Sequence, residues 1–395
     1  MRANVRRAIA LASLPLALAL SAPAATAATA ASAASAASTT GWRAVHTVTV
    51  RSSDTELLSV AVTAPARAWA VGSAFARNSN AIQPVIESWN GTAWSRVRPP
   101  AASLSKIGQP VMVTATASRR VGLWAFTLFG GWLHRGGTGW TAGMVPNHRF
   151  VQASLTVGRA VWIFGGASVV ARGNVPYAAF RIGSGAWTRT AVPGKGVFAD
   201  ASAVSGNDIW AVIGKGLFGA GVSTSRTGGL VHWIGGRWRT VAGLPATLRN
   251  SSLSSVLARS ERDVWVGGAT RNSATGTTET VGHWNGQRWT VIRLHAPATT
   301  KLFHVISMAS DGAGGIWAVG ACTSARCPAT RNVFRLWHEA RGRWTGPIRP
   351  TLAGTRKTVL IGLATAGRSV WAAGLVVAKT GNADGLIALW GATPR

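Results

Sequence analysis

The residues that could carry acid–base chemistry are few, because only 11 of the 395 residues are Asp or Glu. A glycoside hydrolase needs two carboxyl groups that flank the scissile bond. Asp54 and Glu56 lie close together near a predicted strand, and Asp200 lies within another. These three acids are the first catalytic candidates if the chain acts on a polysaccharide. The sequence has no Ser–His–Asp order, phosphate-binding loop or calcium loop, so a non-enzymatic function is favoured.

His232 and His283 are the histidines whose spacing could indicate a metal site, since each precedes a Trp at the same place in a sequence repeat. One histidine in each of two repeats falls short of a complete ligand set. By the same alignment, the other repeats carry Ser88, Gly131, Ala179, Leu336 and Leu389 at this place. We therefore expect a packing or surface role, and the sequence predicts neither a metal nor a cofactor.

Cys322 and Cys327 are the only cysteines, and they lie close together in one predicted loop. Two cysteines alone make a poor metal site, because no nearby His or carboxylate completes four ligands. In an oxidising compartment such a pair forms a local disulfide. We therefore predict a disulfide between Cys322 and Cys327.

A unit repeated seven times positions all of these residues. Each unit comprises an apolar strand, a turn, a strand with Trp-x-x-Gly, a polar loop, a third strand, a tight turn and a fourth strand. Trp69-Ala-Val-Gly72 illustrates the second strand, and Asn90-Gly91 illustrates the tight turn. Alternating β-branched and aromatic residues between turn signals predict one four-stranded antiparallel sheet for each unit.

Nineteen of the 20 tryptophans fall into three sets defined by their strand. The second-strand set is Trp69, Trp124, Trp162, Trp210, Trp265, Trp317 and Trp371. The third-strand set is Trp89, Trp132, Trp233, Trp284, Trp337 and Trp390, with Phe180 in place of the missing member. The fourth-strand set is Trp94, Trp140, Trp187, Trp238, Trp289 and Trp344. A residue repeated at one strand position is expected to pack between sheets rather than to stack on sugars.

Trp42 is the remaining tryptophan, and it precedes the first full unit. The last unit stops just after Trp390, where its fourth strand should begin. Residues 41–48 are therefore expected to supply that strand and to close a ring. A closed ring protects sheet edges, whereas an open solenoid needs terminal caps. We predict an all-β, seven-bladed β-propeller of four-stranded antiparallel blades over residues 41–395.

The repeat resembles the kelch and galactose-oxidase-like propellers, in which a strand ends in Gly and an aromatic residue precedes a Trp after the next loop. Trp69-Ala-Val-Gly72, Ser88-Trp89 and Trp94 show this pattern. The chain is even more similar to the secreted Trp/Gly-repeat propellers of actinobacteria. Galactose oxidase uses a Tyr–Cys cofactor with further Tyr and His copper ligands, and Tyr177 is the only tyrosine here. The resemblance therefore implies the fold without the copper site.

Residues 1–27 are predicted to be a secretory signal peptide, because Arg6 and Arg7 precede an apolar run and Ala25-Thr26-Ala27 offers a cleavage site. The general export route is favoured over the twin-arginine route. Residues 28–40 are almost all Ala, Ser and Thr, which predicts a disordered spacer. No later segment is apolar for long enough to form a transmembrane helix. We expect a secreted, extracellular monomer.

The formal net charge is +30, from 41 Lys and Arg against 11 Asp and Glu. Such a protein attracts anionic wall polymers, acidic polysaccharide, lipid head groups or nucleic acid. An Arg-rich genomic composition and the need for solubility offer a simpler explanation. A dedicated nucleic-acid partner is disfavoured, because base stacking needs exposed aromatic side chains.

A cation stands just before nearly every predicted first strand. These cations are Arg51, Lys106, Arg149, Lys195, Arg249, Lys301 and Lys357. In a propeller they would form a basic rim around the central funnel, suited to phosphate or carboxylate polymers. Chance could also place a cation in each loop of so basic a chain. The sequence thus predicts a secreted, non-catalytic protein that binds an anionic cell-surface polymer or a carbohydrate through this face. The alternatives are a polysaccharide hydrolase or lyase and a protein–protein scaffold.

Overall fold

A computed structural model describes residues 41–167, 175–214, 229–272, 276–294, 303–322, 334–348, 350, 352, 357–377 and 381–393. Within these residues, 28 strands form seven sheets, each of four antiparallel strands. The predicted all-β, seven-bladed fold is confirmed. The predicted signal peptide and spacer lie outside the described residues.

Each sheet is one blade, numbered 1 to 7 along the chain. The strands run outward in chain order in blades 1 to 6, whereas in blade 7 the outermost strand is the N-terminal one. Blades 1 and 2 comprise β2 Ser53–Ala64, β3 Arg67–Ala76, β4 Ile82–Trp89, β5 Trp94–Arg96, β6 Met112–Ser118, β7 Gly122–Thr127, β8 Gly131–Gly136 and β9 Gly139–Met144. Blades 3 and 4 comprise β10 Phe150–Val157, β11 Ala160–Gly166, β12 Pro176–Ile182, β13 Thr188–Thr190, β14 Val197–Ser205, β15 Asp208–Gly214, β16 Gly229–Ile234 and β17 Arg237–Thr240.

The remaining blades continue the series. Blades 5 and 6 comprise β18 Ser251–Ser260, β19 Asp263–Asn272, β20 Gly276–Trp284, β21 Trp289–Arg293, β22 Phe303–Ser310, β23 Ile316–Cys322, β24 Phe334–Ala340 and β25 Arg343–Ile348. Blade 7 comprises β26 Lys357–Ala366, β27 Ser369–Val377, β28 Ala383–Trp390 and the N-terminal strand β1 Trp42–Val48.

The N-terminal strand closes the ring, as predicted. β1 pairs antiparallel with β28, and this register places Trp42 opposite Trp390. The innermost strand of each blade contacts that of the next, and β26 of blade 7 contacts β2 of blade 1. Trp42 is therefore the seventh member of the fourth-strand tryptophan set.

Tryptophans join neighbouring blades. In six of the seven blades a fourth-strand Trp packs on the second-strand Trp of the preceding blade; Trp42, for example, lies edge-on to Trp317 with ring centroids 5.4 Å apart. Trp94 lies edge-on to Trp371 at 5.0 Å in the same way. In blade 2, the Arg135 guanidinium lies over both Trp140 and the Trp69 ring of blade 1. All seven second-strand tryptophans are at most 8% exposed. The expected packing role is confirmed, and these rings are not available to stack on sugars.

The predicted third-strand set is correct by strand, since Trp132 lies in β8 and Trp337 in β24, but in these two blades the position within the strand differs. Trp132 and Trp337 lie two or three residues before the end position, which is occupied by Arg135 in blade 2 and Glu339 in blade 6. The shift has a packing reason, because each ring lies against a glycine of an adjacent strand. A Cβ on Gly143, for example, would overlap the Trp132 ring.

The pairing of the first and second strands is irregular at the same place in every blade, as it is between Leu57 and Ser59 in β2. This irregularity brings a first-strand carbonyl group against the Trp-x-x-Gly glycine. A Cβ on Gly72 would overlap the carbonyl oxygen of Glu56, and one on Gly374 would meet the corresponding oxygen in blade 7. The repeated glycine therefore permits a close backbone approach.

The strand connections divide between two faces. The loop face carries the second-to-third-strand loops and the connections between blades. In blade 1 these two kinds of loop are in contact, because the Arg77 amide donates a hydrogen bond to the Ser52 carbonyl oxygen at 3.0 Å. The turn face carries the first-to-second-strand and third-to-fourth-strand turns. There the Gly236 amide donates to Asn207 Oδ1 at 3.2 Å and joins both turns of blade 4. Short helical turns at Ala101–Leu104, Pro146–His148 and Ala246–Arg249 lie in connections between blades.

Candidate binding face

The loop face presents four of the predicted rim cations as exposed side chains. Arg51 and Lys106 precede the first strands of blades 1 and 2, and Lys195 and Arg249 precede those of blades 4 and 5. Each cation therefore stands where an inner strand begins. Because the inner strands form a ring, the four cations lie at separate points around its opening.

The other three predicted rim residues differ in their surroundings. Arg149 is half-buried, and its guanidinium carbon lies 6.0 Å from the centre of the Tyr177 ring. Lys357 is buried, and this burial lowers the pKa of its amine. Lys301 lies outside the described residues. The exposed part of the rim is therefore smaller than the sequence predicted.

The Asp54 carboxylate forms hydrogen bonds that connect two blades. Its Oδ1 accepts hydrogen bonds from Arg77 Nε and from the Ala383 amide, both at 3.1 Å. Arg77 also donates from Nη2 to the Ser53 carbonyl oxygen at 2.7 Å. Because Ala383 begins β28, Asp54 ties blade 7 to blade 1 at the loop face.

Glu56 is a buried acid, only 5% exposed. No hydrogen bond or ion pair joins its carboxyl group to any residue that the structure describes. Burial raises the pKa of Glu56 to about 7, because the charged form loses its hydration without gaining a partner. This carboxyl group therefore ionises near neutral pH rather than near pH 4.5.

Asp200 links the inner strands of blades 4 and 5. Its Oδ2 accepts hydrogen bonds from the Val256 amide at 2.9 Å and from Ser255 Oγ at 3.1 Å. Burial raises the pKa of Asp200 to about 6, although these hydrogen bonds oppose the shift. Ser59 Oγ accepts the amide of the next blade at the same register position, at 3.2 Å. Asp200 thus occupies a structural position of the repeat, three blades away from the blade that carries Asp54 and Glu56.

The acids are withdrawn from solvent over the whole molecule. All eleven belong to the described residues; Glu261 is exposed, the Asp54 side chain is 47% exposed but paired with Arg77, and the other nine are buried or half-buried. Glu87, for example, is 2% exposed and lies 3.2 Å from Arg96 Nη1. Glu279 lies 3.2 Å from the buried Arg335, although burial raises the pKa of Glu279 to about 7. The surface therefore presents positive charge with almost no exposed carboxylate beside it.

The turn face carries a second set of exposed arginines, which the sequence-based prediction missed. At least one comes from each blade, and the set comprises Arg67, Arg119, Arg120, Arg159, Arg237, Arg262, Arg288, Arg341, Arg343 and Arg368. In blades 4 and 6 the arginine lies in the third-to-fourth-strand turn. In the other blades it lies shortly before the second-strand Trp, and this spacing was a signal visible in the sequence.

Four histidines occupy one repeated position, directly opposite the second-strand Trp. The pairs are His134 with Trp124, His232 with Trp210, His283 with Trp265, and His338 with Trp317. Each imidazole stacks on its Trp, with centroids 3.9 to 4.4 Å apart. The sequence analysis placed only His232 and His283 at this position. It missed His134 and His338 because the repeats of blades 2 and 6 were aligned on Trp132 and Trp337, which lie at other positions in their strands.

Three of these histidines bond to an aspartate in the adjacent turn. The distances from Nε2 to the carboxylate are 2.7 Å for His232 and Asp208, 3.0 Å for His283 and Asp263, and 2.9 Å for His338 and Asp311. Burial alone would raise the pKa of Asp311, but hydrogen bonds from the Ala313 amide and from His338 outweigh this effect, so the pKa of Asp311 is lowered. These pairs brace the turns.

Neither a metal centre nor a membrane span is found in the described part of the chain. No group of three or more His, Cys, Asp or Glu side chains there could hold a metal ion. No helix there is long and apolar enough to cross a bilayer. Cys327 and the side chain of Cys322 lie outside the described residues, so their disulfide stays a prediction.

Comparisons with known proteins identify the fold. No protein-family model and no curated protein matches the chain. Among solved structures, YCF48 bound to D1 peptide is similar with a TM-score of 0.55 at 12% identity, over 89% of this chain and 97% of that chain.

Two further structures show weaker likeness. A protein of unknown function from Dyadobacter fermentans gives a TM-score of 0.47 at 10% identity, over 88% of this chain and 99% of that one. A mutant Trypanosoma rangeli sialidase displaying trans-sialidase activity gives 0.45 at 10% identity, over 85% of this chain and 54% of that one. At such identities the YCF48 likeness establishes the propeller fold alone.

Proposed function

We propose that this protein is an exported, non-catalytic propeller that binds an anionic cell-surface polymer or an acidic carbohydrate on its loop face. The observation that supports this most strongly is the unequal exposure of charge. Cations from four blades are exposed on the loop face, whereas ten of the eleven acids are buried or half-buried. A surface with little negative charge attracts anions over a long range and repels few of them.

The loop face suits a polymer better than a single small anion. Arg51, Lys106, Lys195 and Arg249 belong to different blades, so no two of them share one loop. A chain with repeated phosphate or carboxylate groups can contact several of these cations at once. Guanidinium groups hold such anions in bidentate geometry, and lysines act as point charges. Affinity then accumulates over many weak contacts.

A non-catalytic role is preferred because each candidate acid is either engaged in structural hydrogen bonds or buried. Asp54 is bound to Arg77, and Asp200 is bound across two inner strands. Glu56 is buried without a second carboxylate bonded to it. A glycosidase needs two accessible carboxyl groups on either side of one bond. Asp200 lies in blade 4, away from Asp54 and Glu56 in blade 1, and in that blade Asp54 is engaged and Glu56 is buried.

Export is part of the proposal. It is supported by the signal-like residues 1–27 and by the cysteine pair, which an oxidising compartment would oxidise. A relationship to kelch-like or actinobacterial secreted propellers would agree with this location. The protein would then act as a monomer at or near the cell wall.

A salt titration with an anionic polymer tests the proposal. Binding to heparin or to a teichoic acid is expected to weaken steeply as salt is added, because contacts between charges are screened. The double variant Lys106→Glu/Lys195→Glu should bind at least tenfold more weakly, at about 1 kcal/mol for each lost contact. The variant Arg120→Glu/Arg368→Glu is the matched control, because it changes the charge equally on the opposite, turn face.

The control decides between specific and general attraction. If both double variants lose the same affinity, the loop face is not the binding site. If neither variant loses affinity, the exposed rim plays no part and the proposal fails.

A further inference from the structure

The turn-face arginines form a surface that the proposed polymer site does not use. At least one exposed arginine comes from every blade, and all lie on the face opposite the loop face. Their guanidinium groups make no hydrogen bond, ion pair or ring contact with any described residue. These cations are therefore free to meet an external anion.

Acids near these arginines are already engaged. Asp208, Asp263 and Asp311 bond to histidines, and Asp263 also binds Arg259. Glu339 is 5% exposed and accepts a hydrogen bond from a turn amide. Glu261 alone is exposed on this face. The positive potential of the turns is thus hardly opposed locally.

Apolar side chains project from the same face. Ile182, Val204 and Ile234 are 55%, 37% and 41% exposed, and they are three of the five large hydrophobic residues that are exposed in the described part of the chain. Ile182 ends β12 in blade 3, and Val204 and Ile234 lie at strand ends in blade 4. The three residues therefore cluster in two neighbouring blades, a position that burial within the fold does not explain.

Arginine and apolar side chains are interleaved there. Ile234 pairs in register with Arg237 across the third-to-fourth-strand turn. Ile182 pairs with Ala160, which directly follows Arg159 in the first-to-second-strand turn. The turns are short and the blades are packed on both sides, so this arrangement is held on a shallow, rigid surface.

We propose that the turn face docks on a membrane surface that contains anionic lipids, with the arginines at the phosphate groups and Ile182, Val204 and Ile234 in the headgroup and upper acyl region. Juxtamembrane cations each contribute about 1 kcal/mol at such a surface. Apolar side chains beside them gain from partial burial at the interface. A soluble polyanion offers no such burial, so the interleaved pattern favours the membrane.

This inference is independent of the polymer site. A propeller with both properties would lie with its turn face against the lipid and its loop face towards the cell wall or medium. It could then hold a polymer close to the membrane. Each face can lose its partner without affecting the other.

Vesicle sedimentation tests the inference with the whole mature chain. The probe is a vesicle of phosphatidylglycerol and phosphatidylcholine in equal parts, with pure phosphatidylcholine as reference. Arg159→Gln/Arg237→Gln should weaken binding to the anionic vesicles by about thirtyfold, since each cation contributes about fivefold. Arg239→Gln/Arg293→Gln removes the same charge from the outer strands and should have a small effect.

A second variant separates docking from charge attraction. Ile182→Ser/Ile234→Ser leaves the charge unchanged and should weaken vesicle binding by about tenfold. Unchanged vesicle binding by this variant would overturn the inference, as would an equal loss in the two arginine variants. A loss of heparin binding in Arg159→Gln/Arg237→Gln as large as its loss of vesicle binding would also overturn it, because the face would then be a polymer site. The polymer proposal fails only through its own loop-face variants.

Discussion

Replacing Glu56 with Gln should stabilise the protein at neutral and alkaline pH. Glu56 is 5% exposed and has no hydrogen-bond or ion-pair partner among the described residues. When the carboxyl group ionises, the fold must hold a buried charge that water would solvate far better. The amide of Gln has nearly the same shape and never ionises, so the variant imitates the protonated acid.

The magnitude follows from the pKa of Glu56. Burial raises that pKa from an ordinary 4.5 to about 7. Since the folded pKa lies above the unfolded one, the stabilising effect of the protonated acid is fully present below pH 4.5 and is lost as pH rises through about 7. One pKa unit corresponds to about 1.4 kcal/mol, so the wild type should lose about 3 kcal/mol over this interval through Glu56. Glu56→Gln should not lose it.

Guanidinium chloride unfolding at acidic and mildly alkaline pH measures this difference. The two proteins should have similar free energies of unfolding at about pH 4, and the variant should exceed the wild type by about 3 kcal/mol at about pH 8. Asp200 and Glu279 titrate in a similar range, but they are present in both proteins and cancel. Glu261→Gln is the control, because this side chain is exposed. A difference between wild type and Glu56→Gln that stays constant with pH would refute the reasoning.

Two further substitutions test the architecture. Trp42→Ala should lower the free energy of unfolding by about 3–5 kcal/mol in denaturant titrations, because it removes the ring that packs on Trp317 where the propeller closes. Trp289 occupies the same position in blade 5 and is less buried, so Trp289→Ala should lower the free energy of unfolding by less. Equal losses in the two variants would argue against a special role for closure. Gly374→Ala should destabilise the protein by about 2 kcal/mol, since the new Cβ meets a first-strand carbonyl. Gly137→Ala, which has open space around its Cβ position, should be nearly neutral, and a similar effect of both would contradict the close approach.

The ring and its closure could be predicted because tryptophan is rare and its burial is repeated. Trp42 belonged to no full unit and the last unit lacked a fourth strand, so the segment that contains Trp42 could be predicted to supply that strand. The strand register could not be predicted in the same way. Trp132 and Trp337 pack over glycines of adjacent strands, and packing of this kind leaves no local spacing signal.

The candidate sites were predicted less completely than the fold. Lys357 stands at the expected place in the sequence, but its side chain is buried. Asp200 is withdrawn by bonds to Ser255 and Val256, which lie in another blade and are distant in the chain. Arg159 and the other turn-face arginines were visible in the sequence. Their exposure beside Ile182 and Ile234 became evident only once the turns were placed on one face.

The N-terminal strand has a consequence for the order of assembly. β1 is synthesised first, although its partner β28 is synthesised last, and Arg43 bonds to Gly391 across a separation of 348 residues. Closing a loop of that length costs about 2 kcal/mol more than closing one of single-blade length. Blades 1 to 6 can each form from local strands, but the circle stays open until the C-terminus arrives. A ring that locks only with its final strand should therefore gain its full resistance to unfolding only after the whole chain has been synthesised.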